Sequence, residues 1–398
     1  MVQLSSKNTL GLALILGSVT AMAPLAIDMY LPSFPQIAQN LRVDTSEVEL
    51  SLTAFFIGLS TGQLFYGPLS DRFGRRWPLT LGLLLAAIAS FLCAKADTIE
   101  FLIAARFVQA LGVCAGMVIS RAVVRDMFNH NDAARFFSLL MLIMGVAPIL
   151  APLLGGYVAK FFGWHAIFQA IGGFAFLAMA AVLVFLPETK GANAGVRLSR
   201  ALHTYVDILK NTAYLRYALA GGAANAGMFA YITGSPFVVI NYYGVPAEQF
   251  GLVFGTNAAG LIGMTQVNRL LLKRYHFDQV LRVGYTLILL SALAAIMVAL
   301  AGGPLVAFLA TLFMFLASLG IIMPNSTAGA MSEEGERAGS ASALTGSLSF
   351  WFAFLSSGTV GFIKADSALP LACVMGACAL ASMAFSYLPS KTVDKATP

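Results

Sequence analysis

The sequence predicts an all-α polytopic membrane protein, and three observations carry that prediction. Of its 398 residues 59% are apolar and 11% charged, where a soluble chain needs about a quarter charged to cover its surface. Apolar runs recur near the ~20 residues that cross a bilayer. Between them lie short polar stretches, and nineteen of the 24 Lys and Arg fall on alternate ones. The net charge of +6 therefore concerns orientation in a membrane. No basic stripe with interleaved aromatics offers a nucleic-acid surface.

Twelve spans follow: 9–31, 50–69, 77–94, 99–120, 134–156, 166–186, 214–239, 250–268, 283–301, 304–324, 339–361 and 370–388. Ser46 with Glu49 and Asp97 with Glu100 have the spacing of capping boxes, and Pro304 and Pro370 suit a first helical turn. Lys7, the run Leu10–Ile27 and Ala21-Met22-Ala23 have the outline of a cleaved signal. The run is longer than a signal core and leads straight into Asp28-Met29-Tyr30-Leu31-Pro32, so it reads as the first span.

Orientation follows from the cations. With both termini inside, the cytoplasm receives Lys7, Arg72, Arg75, Arg76, Arg121, Arg125, Arg135, Lys190, Arg197, Arg200, Lys210, Arg216, Arg269, Lys273, Arg274, Arg282, Arg337, Lys391 and Lys395. Outside stand only Arg42, Lys95, Lys160 and Lys364, with Arg106 alone inside a span. The longest polar stretch divides the chain into a six-helix half at 1–189, a cytoplasmic linker at 190–213, and a second six-helix half with a short tail at 214–398.

Chemistry concentrates in a few places. The four cysteines and four histidines form no metal-binding or disulfide pattern, so no metal and no cofactor are expected. Asp28 and Arg106 are the formal charges placed inside apolar spans. Each costs about 2.5–3.5 kcal/mol at a helix centre, so both should face a cavity or each other. Both lie toward the outer ends of their spans, where a contact is geometrically possible. The functional reading is a protonatable carboxylate tuned by burial and a neighbouring guanidinium; the alternatives are a static ion pair, or an aspartate already in headgroup water. Span 5 carries Gly145, Pro148, Pro152, Gly155 and Gly156, a pattern that bends a helix and admits a close neighbour.

The turn Gly67-Pro68-Leu69-Ser70-Asp71-Arg72-Phe73-Gly74-Arg75-Arg76, between Leu50–Tyr66 and Trp77–Cys93, resembles the signature joining the second and third helices of the major facilitator superfamily. Leu102–Gly112 around Arg106 resembles that family's fourth-helix motif, with Ala110 where a glycine is usual. The span-5 run resembles the antiporter motif of its drug exporters. Arg125-Asp126 with Arg135, Gly163-Trp164-His165 with Phe168, Pro187-Glu188-Thr189 and Gly234-Ser235-Pro236-Phe237 extend the likeness to the bicyclomycin-resistance (Bcr/CflA) group of drug:proton antiporters. In the second half the corresponding turn, Asn268-Arg269-Leu270-Leu271-Leu272-Lys273-Arg274-Tyr275, is basic but lacks the glycines and the aspartate. Thr20 stands where some multidrug relatives carry a second acid.

The resemblance implies an inner-membrane antiporter, monomeric, that exports amphiphilic drugs such as bicyclomycin- or chloramphenicol-like compounds, with the proton as coupling ion. Asp28 and Arg106 are then the coupling pair. Gly67, Asp71, Arg72, Gly74, Arg75 and Arg76 form a cytoplasmic gate, with Asp71 meeting arginines when the two halves close on the inside. Tyr30, Asn225, Phe229, Tyr231, Asn257, Phe350 and Trp351 line the substrate cavity. An exporter of an ordinary metabolite and a proton-coupled importer are the competing transport readings. No nucleophile, acid pair or nucleotide-binding loop supports an enzyme.

Overall fold

The computed structural model describes residues 6–128, 130–191, 198–334, 337–363 and 366–389, with side chains from Gly11 onward and not at 130–135, 137–139, 141–142, 198–201 or 338. The side chains of Lys7, Arg135, Arg197, Arg200, Lys364, Lys391 and Lys395, part of the charge argument, lie outside the described set.

Fourteen α-helices are seen among the described residues: α1 Ser6–Asp28, α2 Phe34–Leu41, α3 Thr45–Phe73, α4 Arg76–Cys93, α5 Ile99–Met127, α6 His130–Phe162, α7 Trp164–Phe185, α8 Leu198–Leu209, α9 Thr212–Pro236, α10 Ala247–Leu271, α11 Phe277–Leu300, α12 Leu305–Ser332, α13 Ala338–Phe362 and α14 Leu369–Ser386. All but α2 and α8 coincide with the twelve expected spans. Among the described residues eleven stretches are long and apolar enough to cross a membrane. The remaining long helix, α13, carries six serines and four glycines in 25 residues, which lowers its hydropathy.

Local signals place the helix ends differently from hydropathy. The capping box at the start of α3 is Asp44 with Glu47, the Asp44 amide donating to Glu47 at 3.2 Å, so the helix begins at Thr45 and Glu49 is left free of that role. Thr98, not Asp97, caps α5, accepting from the Phe101 amide at 3.3 Å. Pro304 is the cap of α12 itself, and Pro370 sits in the first turn of α14. A π-helical turn, Phe237–Tyr242, follows Pro236, whose missing N–H breaks the α-ladder there. Within the linker, α8 is amphipathic: Tyr205 and Ile208 are buried while Leu202, Val206 and Leu209 are exposed.

By packing, the chain divides into two compact units. The first comprises Met1–Leu198 with Ile232–Gly255; the second comprises Ser199–Tyr231 with Thr256–Pro398. In the first, α5 packs against α3 and α4, α4 against α7, and α1 against α5, α6 and α7. The start of α10 belongs to this unit: Gly251 meets Leu153 of α6, and Glu248 pairs with Lys160 at 2.7 Å. In the second, α11 packs against α12 and α14, and α13 touches α12 and α14.

Candidate functional site

Arg106 is fully enclosed in the first unit. Its guanidinium carbon lies 4.2 Å from the centre of the Phe55 ring, 4.3 Å from Tyr30 and 5.6 Å from Phe168. Such cation–π contacts are worth about 2 kcal/mol or more when water is excluded. Nη1 donates to Gln109 Oε1, whose amide nitrogen donates to Ser90 Oγ at 2.7 Å. Arg106 Nε and Nη2 have no hydrogen-bond partner.

Asp28 is the last residue of α1, 3% exposed, and its Oδ1 is enclosed without a partner. No ion pair joins it to Arg106 among the described residues. The possible contact is replaced by a relay of position: Tyr30, two residues on, lays its ring on the guanidinium and places its hydroxyl 3.3 Å from Ser51 Oγ. Aromatic faces hold the cation in place of a carboxylate. Two buried groups of opposite formal charge are thus each left incompletely satisfied, which native interiors rarely allow.

Span 5 bears directly on this region. Pro148 and Pro152 lie inside α6. A Cβ at Gly155 would overlap the Met29 carbonyl oxygen and come within 2.6 Å of the carbonyl carbon, so only glycine lets α6 approach the residue following Asp28. Gly156 faces the Glu248 backbone, with 3.3 Å between an added Cβ and Glu248 Cα. Gly145 is half-buried in the same helix.

The turn between α3 and α4 is a second buried charge site. Gly74 has φ 86° and ψ 171°, a region open essentially to glycine alone. Beyond it the Arg75 and Arg76 amides, at the start of α4, donate to the Glu188 carboxylate at 2.6 and 3.1 Å. The Arg75 side chain is 6% exposed; Nε meets Asp126 at 2.7 Å, and Nη1 meets Asp71 at 2.9 Å and Ser70 at 2.7 Å. Lys190 Nζ reaches Asp71 at 2.7 Å, and Arg76 Nη2 donates to the Leu183 carbonyl. Asp71 therefore finds its described partners within its own unit. Arg72 is exposed with its guanidinium over Phe73, and a Cβ at Gly67 would meet nothing within 4 Å. Asp126 and Glu188, which sequence reasoning noted only as motif matches, hold this turn together.

Of the seven substrate-cavity candidates, Tyr30 belongs to the first unit and the other six to the second. Tyr30 is enclosed under Arg106. In the second unit Asn257 donates to Tyr231 at 2.9 Å, Phe229 and Phe350 pair with ring centres 5.4 Å apart, and Asn225 Oδ1 is buried without a partner. Trp351 is 44% exposed, on a stripe with Leu355 and Phe362, while its neighbour Phe350 is buried, since successive helix residues diverge by about 100°. A cavity of about 180 Å³ in the second unit is lined by Arg216, Tyr217, Asp278, Leu281, Arg282, Tyr285, Ser386, Tyr387 and Leu388, none of them among the seven. Among the described residues no cluster of His, Cys, Asp and Glu could hold a metal.

The twelve long helices among the described residues, with a charged, glycine-hinged turn after the second, define a polytopic membrane protein. A family model described as Major Facilitator Superfamily matches residues 16–357, and the chain belongs to that superfamily. It is 36% identical over 396 residues, 98% of each chain, to the uncharacterized MFS-type transporter YdgK of Bacillus subtilis. It is 33% identical over 390 residues, 97% of this chain and 98% of the other, to the bicyclomycin resistance protein homolog of Haemophilus influenzae. A crystal structure of a D-xylose-proton symporter superposes with a TM-score of 0.74 at 14% identity, covering 97% of this chain and 99% of the other, which bears on the fold alone.

Proposed function

We propose that this transporter is a proton-coupled antiporter exporting amphiphilic drugs, bicyclomycin- or chloramphenicol-like compounds among them, across a bacterial inner membrane. In this reading both termini are cytoplasmic, the chain acts as a monomer, and the halves 1–189 and 214–398 alternate access around the linker 190–213. Likeness over nearly its whole length to a bicyclomycin resistance protein homolog supports the substrate class. The observation that carries the coupling is Asp28: an enclosed carboxylate with an unpartnered oxygen, two residues before the Tyr30 ring that lies on Arg106. A proton settles such a carboxylate in one access state, and substrate or a displaced Arg106 settles it in the other. Gly155, pressed against Met29, makes the backbone after Asp28 responsive to any bend of α6. The turn built on Gly74, Asp71, Arg75 and Arg76 acts as the cytoplasmic gate. Tyr30, Asn225, Phe229, Tyr231, Asn257, Phe350 and Trp351 are the candidates for the substrate cavity.

The test is drug accumulation in everted vesicles under an imposed pH gradient, with proton flux read in parallel. Asp28→Asn should abolish gradient-driven export while inserting normally. Wild-type rates with unchanged pH dependence would remove Asp28 from the coupling. Accumulation driven in the opposite sense would favour the importer, and the absence of drug movement would favour export of an ordinary metabolite.

A further inference from the structure

Glu49 belongs to none of the sites above. It lies four residues past the first residue of α3, ~6 Å along the helix at ~1.5 Å per residue, and is 3% exposed. The same helix face continues through Thr53, Phe56, Ser60 and Gln63, a buried stripe with three polar side chains. No hydrogen bond or ion pair reaches the Glu49 carboxylate, yet its oxygens are not among the fully enclosed atoms that lack a partner. The small remaining exposure therefore leaves the carboxylate head in touch with open volume.

The surroundings offer it no counter-charge. α3 packs against α2, α4 and α5. Those elements and the connections at that end bring Arg42, Lys95, Asp97 and Glu100, all exposed, and Asp44 and Glu47 lie on the exposed side of the cap. The buried charged groups at that end are Arg106, held by its rings and Gln109, and Asp28, on α1. An acid inside a span without a partner marks a binding or exchange site by default.

We propose that Glu49 is a second exchange carboxylate, which carries a proton in one half of the cycle and the positive head of an organic cation in the other. The substrates of this chain then include monovalent cationic amphiphiles. The inference rests on the export reading above and adds the charge class of its cargo. As the cation docks, the carboxyl O–H bond breaks, the proton leaves to water, and the carboxylate accepts the cation's charge. One positive charge leaves as another arrives, so the buried charge is unchanged. Asp28 remains free to exchange its own proton, and Glu49 adds one proton per cycle to the count.

The full chain, reconstituted in proteoliposomes with an imposed pH gradient, is assayed with tetraphenylphosphonium, a fixed cation, and chloramphenicol, which is neutral. If wild type moves neither, the export reading falls. If it moves chloramphenicol alone, that reading stands and the cation inference falls. With both moved, Glu49→Gln should lower tetraphenylphosphonium transport about tenfold or more, as expected for loss of a buried charge partner. Chloramphenicol transport should stay within about twofold with its proton count unchanged, because a neutral cargo leaves the Glu49 proton in place. Glu49→Asp should restore the cation. Unchanged transport of both probes, or equal loss of both that Asp does not rescue, overturns the proposal. Should the Gln variant fail to insert, carbodiimide labelling of wild-type Glu49 decides: tetraphenylphosphonium should protect it where chloramphenicol does not, and indifference to both overturns the inference.

Discussion

The turn from α3 to α4 and the turn from α10 to α11 join corresponding helices of the two sequence halves and are held by different means. In the first, the chain passes through φ 86° at Gly74, and the start of α4 is capped from a distant helix end by Glu188. A nearly buried Arg75 then gathers Asp71, Asp126 and Ser70. In the second, α11 caps itself, the His276 ring accepting from the Asp278 amide at 3.4 Å and Gln279 accepting from the His276 amide at 3.2 Å. Residues 272–276 need no positive φ. Asp278 meets Arg216 at 3.2 Å and Tyr217 at 2.8 Å in a setting about a third exposed. The signature is thus a set of parts for one buried knot. Where the knot is replaced by local capping, the glycines and the aspartate have no task, which is why the sequence echo at 268–275 is only basic.

Removing the central cation separates the two turns most. Arg75→Ala strips partners from Asp126 and Asp71 together; with those carboxylates 21% and 38% exposed, the loss should be about 2–3 kcal/mol, below that of a fully buried pair. Arg216→Ala, in the more open site, should cost about 1 kcal/mol or less. Thermal unfolding of the two purified variants in the same detergent measures the gap. Equal losses would mean the first turn is no more of a knot than the second.

The next effect is conformational. Gly74→Ala places a side chain in a backbone region costing on the order of 1–3 kcal/mol, and its Cβ would stand 2.6 Å from Glu188 Oε2. It should therefore destabilise the protein and loosen Glu188 from the start of α4, seen as faster cysteine labelling at position 76 in an Arg76→Cys background. Gly67→Ala, with open space around it inside α3, should not destabilise and should gain up to about 1 kcal/mol, the helix preference of alanine over glycine. If the two alanine variants behave alike, the backbone account of the signature fails.

These contrasts also show where sequence was legible. The membrane spans were, because hydropathy reports the length of chain that lipid surrounds. Their ends were not: α5 runs to Met127 and α3 from Thr45 to Phe73, since helical hydrogen bonds continue past the lipid until a cap stops them. The helices α2 and α8 escaped notice because short amphipathic segments resemble loops in composition. Asp28 and Arg106 stood out as charges in apolar runs. Phe55 and Phe168, which hold the arginine, did not, because one more aromatic in a membrane span carries no mark. Glu49 was hidden by chance: three residues after Ser46, it has the spacing of a cap partner, while the box in use is Asp44 with Glu47.

The smallest effect belongs to Asp278→Asn in the second turn. The carboxylate there does three modest things: it accepts from Tyr217, pairs with Arg216, and stands in the first turn of α11, where an acid is favourable. Asparagine keeps an oxygen for Tyr217 and loses the charge, so what disappears is a partly screened ion pair and a dipole contribution, together about 0.5–1 kcal/mol. Because both lost terms are screened by salt, wild type and variant should converge in unfolding temperature as ionic strength rises. The Arg75 variants should converge less, since the arginine is 6% exposed and Asp126 21%, although Asp71 at 38% is within reach of ions. A loss above about 2 kcal/mol for Asp278→Asn, or one that persists at high salt, would show by the standard of a buried pair that the second half also hides a knot, built from residues the signature does not contain.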